Sequence, residues 1–391
     1  MSVTRSQAMA TAEHSTAILC FSHLRWDFVF QRPQHLLTRA TRDYDVWYFE
    51  EPVLQAPSFN SSLQVKVDSS GVRVVTPLLA GDMGPHDLAR TQGRLVKELI
   101  ARIPNVARIG WYYTPMALTY TKDLTFDACV YDNMDELSTF AGAPVEMLDQ
   151  EGMLFARADV VFTGGHSLYE SKRGRHHNIH PFPSSIDAHH FGKARVYAGP
   201  DADDQRHIPR PRIGFFGVID ERLDLHLLKR IAELRPSWQL VMIGPVAKID
   251  ERTLPRLPNI HWLGAKRYAE LPHYLAGWDV GLMPFAHNEA SKFISPTKTP
   301  EFLAAGVPVV CTSIADVIRP YGETGLVEIA DDPGTFVEKI ELVSQRPRHS
   351  WLGKVDNHLG STSWDLTWQG MDALLRRATG PIDSYLAQAA E

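Results

Sequence analysis

The stretch Ser291–Val310, SKFISPTKTPEFLAAGVPVV, gathers residue types that suit a phosphorylated ligand. Ser295, Pro296 and Thr297 stand just before a predicted helix. The first-turn amides of a helix lack partners, and its dipole adds partial positive charge there. That makes an anion site suited to a diphosphate. Lys298 adds a full positive charge at the same place. Glu301, three residues on, projects on the same side of the helix. A carboxylate there accepts two hydrogen bonds from vicinal ribose hydroxyls. Plainer readings compete: Glu301 as a carboxylate favoured by the helix dipole, Lys298 as a solvated surface charge.

Other chemistry-bearing residues lie at predicted strand ends. Gly217 closes the strand Ile213–Gly217, and Arg222 follows in the loop, free to meet a phosphate or to pair with Asp220, Glu221 or Asp224. His23 follows the first strand, where it serves as a base or a donor, or is simply a hydrogen-bonded structural histidine. Arg25, Trp26, Asp27, Gln31 and Arg32 form a polar-aromatic loop of the kind that stacks on and grips a sugar, or that packs between domains. Asp132, Asp135 and Glu136 end a further strand. Asp132 is the candidate to take a proton from an attacking hydroxyl, with helix capping as its rival. Gly164 and Gly165 precede another helix and are candidates to line a cleft. The basic run Ser171–His177 reads as a solvated loop, with contact to anionic lipid or a lipid diphosphate as the alternative. Arg90, Arg94 and Lys97 invite the same reading.

Composition excludes several classes. The 391 residues carry a net charge of −6, so nucleic acid is not the expected partner. The three cysteines, Cys20, Cys129 and Cys311, sit in apolar runs and read as small buried hydrophobes. There is no CxxC pair and no HExxH, and no DxD motif ends a strand before a hydrophobic run, so neither a metal nor any other cofactor is expected. No GxGxxG follows the first strand, which argues against a dehydrogenase. Met1–Ser15 is polar, and the apolar run Ala17–Phe21 is too short for a leader or a membrane span. A cytoplasmic protein is expected, with peripheral contact at the inner face of the plasma membrane left open.

The elements that must position these residues alternate. Short apolar strands are predicted at 17–21, 45–49, 72–76, 108–113, 128–131 and 160–163, with helices at 33–40 and 86–103. After a polar, aperiodic segment at 192–211, a second cycle starts. Its strands fall at 213–217, 239–243, 260–263, 280–283 and 307–310, and its helices at 223–234, 268–276 and 300–305. Strand, then glycine or proline, then helix is the rim of a doubly wound parallel sheet, where ligands bind. The expected organisation is an α/β chain of two Rossmann-like domains facing across a cleft. They run over 16–191 and 212–360, with a linker at 192–211. A C-terminal helix at 361–378 would pack back toward the first domain, with Leu366, Met371, Leu374 and Leu375 on its apolar face. The last ten or so residues are expected to fray.

The run SPTKTPEFLAAGVPVV resembles the donor-nucleotide segment of GT-B glycosyltransferases of family 4, the "group 1" glycosyl transferases. FPSSIDAHHF (Phe182–Phe191) is similar to the segment closing their first domain, and IGFFGVIDERLDLHLL to the opening of their second. FSHLRWDFVFQRPQHLL and VYDNMDELSTF resemble a subgroup of bacterial envelope-polysaccharide transferases of teichuronic-acid type. The resemblance implies that Glu301 holds the ribose of a UDP- or GDP-sugar. Lys298 and the backbone at Ser295, Pro296 and Thr297 would hold its diphosphate, with Arg222 standing in for the Arg/Lys pair usual there. Val218 and Asp224 occupy those usual positions, and Phe293 stands where the first glutamate of the family's E-x7-E motif belongs. Glu289 or Asn288 would then grip the donor sugar. A glycan or lipid-linked glycan is the implied acceptor, held by the first domain, with retention at the anomeric carbon. Two alternatives remain: a sugar-nucleotide epimerase of the same fold, and a non-catalytic partner protein.

Overall fold

The computed structural model describes residues 14–104 and 106–379. The leaderless reading of the N-terminus falls mainly, and the fraying of the C-terminus wholly, outside these residues.

Two sheets organise the chain. The first holds nine strands: β1 (Thr16–Phe21), β2 (Asp45–Phe49), β3 (Val53–Gln55), β4 (Ser62–Val67), β5 (Arg73–Ala80), β6 (Ala107–Tyr112), β7 (Ala128–Asn133), β8 (Val160–Thr163) and β9 (Ile179–Pro181). Their order is β3-β5-β2-β1-β6-β7-β8-β9, all parallel, with β4 added antiparallel to β5. The second sheet holds β10 (Arg212–Phe216), β11 (Gln239–Ile243), β12 (Ile260–Gly264), β13 (Val280–Met283), β14 (Val309–Cys311) and β15 (Val327–Ile329). Its order, β12-β11-β10-β13-β14-β15, is that of a Rossmann sheet. In both sheets the first strand is central and the chain reverses direction beside it, which opens a crevice at the strands' carboxyl ends.

Residues of β1, β2 and β7 are buried along their whole length. Helices on both faces cover them, which is why these strands read as unbroken apolar runs. One face packs Ile18, Trp111 and Val130 with Leu36 of the helix Arg32–Ala40, and the other packs Leu19, Phe21 and Tyr112.

Three expectations change. Residues 192–211 are not a free linker. Ala202 and Ile208 belong to the second domain's core. Gln205, fully buried, accepts from Trp278 Nε1 at 2.7 Å and donates to the Tyr274 carbonyl at 3.2 Å. Gln205 thus satisfies buried partners instead of water, while Asp203 and Arg206 pair at the surface. The helix Trp364–Thr379 buries Trp364, Trp368, Met371 and Leu375 against the first sheet. Leu366, placed on the apolar face from sequence, is 52% exposed. Two tryptophans four residues apart outweigh one leucine in setting the helix's phase. The basic run stays exposed at Arg173, Gly174 and His177, but its lysine does not. Lys172 is buried, its Nζ 2.6 Å from Glu136 and 2.9 Å from Glu151, and Arg175 also pairs with Glu151. No helix among the described residues is long and apolar enough to cross a membrane.

Candidate active site

The cleft between the two sheets encloses a cavity of about 790 Å³, lined by both domains. On the second-domain side, β10 and β11 are each followed directly by a glycine with positive φ, Gly217 at +136° and Gly244 at +148°. These values favour glycine, and close packing demands it as well. A Cβ on Gly244 would stand 1.8 Å from the Gly217 carbonyl oxygen, and a Cβ on Gly217 would stand 1.9 Å from Lys298 Cε. The missing side chains let Lys298 lie across the strand ends, its Nζ 5.9 Å from the Phe215 ring centre.

Lys298 opens the helix Lys298–Ala304, and Glu301 stands one turn on, buried at 6% exposure. Both line the cavity. Among the described residues neither side chain has a hydrogen bond or an ion pair. Burial pushes the Glu301 carboxyl up and the Lys298 ammonium down from their ordinary values, each opposed by the other's charge. Two opposite charges, desolvated yet not joined, face a common space, which is the arrangement of a site that waits for a ligand to complete it.

Ser295, Pro296 and Thr297 also line the cavity. Their backbone offers less than expected. Pro296 has no N–H, and Ser295 is engaged across the domain boundary. Its carbonyl accepts from Ser184 Oγ at 2.5 Å, and its Oγ accepts from the Ser184 amide at 3.3 Å. Arg222 reaches the cavity but is held bidentately by Asp220, at 2.6–3.1 Å. Its guanidinium lies 5.3 Å from the Phe140 ring centre, and Lys248 Nζ lies 4.7 Å from it. Asp224, where the family places a lysine, caps the helix Leu225–Leu234 through the Leu227 amide at 2.8 Å.

On the first-domain side the candidates separate. Asp132 is fully buried, its Oδ1 2.9 Å from Arg32 Nη2, and is not a cavity-lining group. Arg32 also donates to the Phe182 carbonyl at 2.7 Å, so this ion pair ties β7 to the helix Arg32–Ala40. The carboxyl that does face the cavity is Asp135, two residues past β7. Burial pushes it up, offset by Arg222 and Lys248. His23 is not among the lining residues. Burial pushes it down to about 4, with Lys248 adding to the shift, so it is neutral at pH 7. Its Nδ1 is buried without a hydrogen-bond partner.

Arg25 is turned to Glu50, 3.4 Å away, and to the Pro52 carbonyl at 3.1 Å. Trp26 lines the cavity and is pinned through its amide to Glu50 at 2.6 Å. Gly164 lines the cavity, and a Cβ there would stand 2.4 Å from the Met134 carbonyl. Gly165 faces the other domain, where a Cβ would stand 2.0 Å from Asp316 Oδ2. Glu289 is exposed, 3.7 Å from Lys292 and outside the cavity, so it does not grip a ligand there in this conformation.

Sequence reasoning missed Tyr268, Phe30 and Phe140. Phe30 and Tyr268 line the cavity from opposite domains and stack at 4.5 Å. Nothing in the local sequence marks these aromatics, because each is defined by a partner in the other domain.

Residues 210–345 match the family model for glycosyl transferases group 1. That match falls on the second domain, which holds Lys298 and Glu301. A curated relative, the "Putative teichuronic acid biosynthesis glycosyltransferase TuaH" of Bacillus subtilis (strain 168), is 38% identical over 137 residues. The match spans 34% of this chain and 34% of that protein, about a third of the relative's length. Among solved structures, sucrose-phosphate synthase from Thermosynechococcus elongatus superposes with a TM-score of 0.69 at 14% identity, covering 93% of this chain and 98% of the other. The Anabaena protein Alr3699/HepE, in complex with UDP and glucose, gives 0.64 at 12% identity, covering 92% and 98%. At these identities the likeness is one of fold, the two-domain GT-B architecture.

Proposed function

We propose that this chain is a glycosyltransferase that takes a sugar from a nucleoside-diphosphate donor, UDP- or GDP-linked, and passes it to a glycan or lipid-linked glycan in envelope polysaccharide synthesis. The single observation that carries this reading is the unpaired Lys298 and Glu301, one helical turn apart on the wall of the interdomain cavity. Glu301 accepts hydrogen bonds from the donor ribose, and Lys298 meets the diphosphate.

In the reaction the bond between sugar C1 and the diphosphate oxygen breaks, and a bond from the acceptor oxygen to C1 forms, with retention as the resemblance implies. The electron pair leaves with the diphosphate. Lys298, with Arg222 beside it, stabilises the charge that develops there, so no metal enters this reading. The acceptor hydroxyl loses its proton to a carboxylate. Asp132 is bound to Arg32, so this role falls to Asp135, whose raised pKa suits a proton acceptor. Closure of the cleft excludes the water that would otherwise hydrolyse the donor. The protein is expected in the cytoplasm, with the acceptor presented at the inner membrane face. The test is release of UDP or GDP from the matching sugar nucleotide, rising when an acceptor is added. Release that ignores every acceptor while the sugar is isomerised would replace transfer with epimerisation.

A further inference from the structure

The cavity that Glu301 lines holds a second group without a partner. Tyr268 begins the short helical turn Tyr268–Glu270 that follows β12. Its ring is clamped on both faces, by His190 at 4.2 Å and 11° and by Phe30 at 4.5 Å and 26°. His35 and Phe191 meet its ring edge-on, at 5.4 and 5.6 Å. His190 Nε2 also lies 3.0 Å from the Tyr268 carbonyl. These ring contacts hold the tyrosine in one orientation. Yet the hydroxyl is buried with no hydrogen-bond partner among the described residues. A buried phenol normally finds one, because burial takes away the hydrogen bond it had with water. Tyr268 and Glu301 line the same cavity, and burial, followed by the Glu301 charge, raises the phenol's pKa.

A hydroxyl donor and a carboxylate acceptor on the wall of one cavity are together the complement of two adjacent alcohols. One alcohol oxygen accepts from the phenol, and the alcohol hydrogens go to the carboxylate. We propose that Tyr268 is a specificity-determining residue of the donor site, donating its hydroxyl to one of the two ribose hydroxyls that Glu301 binds, so that the cleft selects ribonucleotides over deoxyribonucleotides. Phe30, from the first domain, holds the tyrosine in place, so this recognition is complete only with the domains together. The inference rests on the donor reading above, and the experiment separates the two.

Binding of UDP, GDP and ADP to the full chain is measured by calorimetry. The tightest is then compared with its 2′-deoxy and 3′-deoxy analogues, in wild type and in Tyr268→Phe. The expected result is that the substitution weakens the ribonucleotide by about five- to tenfold, one hydrogen bond's worth. It also brings the discrimination against one deoxy analogue to within about twofold. Tyr268→Phe should melt no lower than wild type, because the ring stack stays and the hydroxyl removed has no partner. Undiminished discrimination against both analogues in Tyr268→Phe overturns the inference and leaves the donor reading intact. So does a melting point well below wild type, which would place the hydroxyl in a bond within the protein. Wild type that binds none of the three nucleotides overturns both.

Discussion

Lys298 lies so close over Gly217 that a single methyl group on the glycine would sit 1.9 Å from Lys298 Cε. The glycine at the end of β10 and the lysine that opens a helix more than eighty residues later form one unit. Gly217→Ala tests it. The backbone at φ +136° strains any side chain, at a cost on the order of 1–3 kcal/mol, and the lysine must move as well. We expect a modest fall in melting temperature together with a loss of nucleotide affinity of at least about tenfold. A variant that binds as wild type would show that Lys298 need not lie where it does.

Arg32 and Asp132 are 4% and 0% exposed, and each is the other's counter-ion. Removing one leaves a buried charge uncompensated. Asp132→Ala should therefore lose about 3–5 kcal/mol of stability in denaturant titration. Asp135→Asn should fold as wild type and lose turnover. Normal stability in Asp132→Ala, or normal turnover in Asp135→Asn, would return the proton-accepting role to Asp132.

The raised pKa of Glu301 gives two pH dependences of opposite sign. The folded carboxyl is pushed above its unfolded value, so between the two values the folded state holds the extra proton. Stability of the empty protein therefore falls as pH rises from the ordinary carboxylate range through the raised value. Nucleotide binding needs the ionised form, so affinity climbs over the same window. Glu301→Gln should flatten both slopes. Parallel slopes for stability and affinity, or slopes that survive Glu301→Gln, would contradict this.

The closing helix offers a purely structural test. Trp368→Ala opens a hole beneath the first sheet and should cost about 3–5 kcal/mol. Leu366→Ser, on the exposed side, should change stability by no more than about 0.5 kcal/mol. The reverse ranking would put the helix in the phase read from sequence.

Much of the fold is legible in the chain because parallel strands covered on both faces need unbroken apolar runs. Asp45–Phe49, Gln239–Ile243 and Val280–Met283 are read from sequence to the residue. Strand β4, Ser62–Val67, is not, since it is half exposed and its pattern resembles a polar loop. Lys298 and Glu301 are legible because their spacing is local. The choice between Asp132 and Asp135 is not, because it depends on Arg32, 100 residues away in the chain, neutralising one of them. Tyr268 escapes notice for the same reason, being oriented by Phe30 from the other domain.

The most direct measurement is calorimetric titration of UDP- and GDP-sugars into wild type, Lys298→Ala and Glu301→Ala, with melting curves taken alongside. Wild type should bind one class of donor, and each variant should lose that binding while still unfolding cooperatively as a folded protein. Wild-type affinity in both variants would show that the donor does not use the face of the cleft these two side chains share.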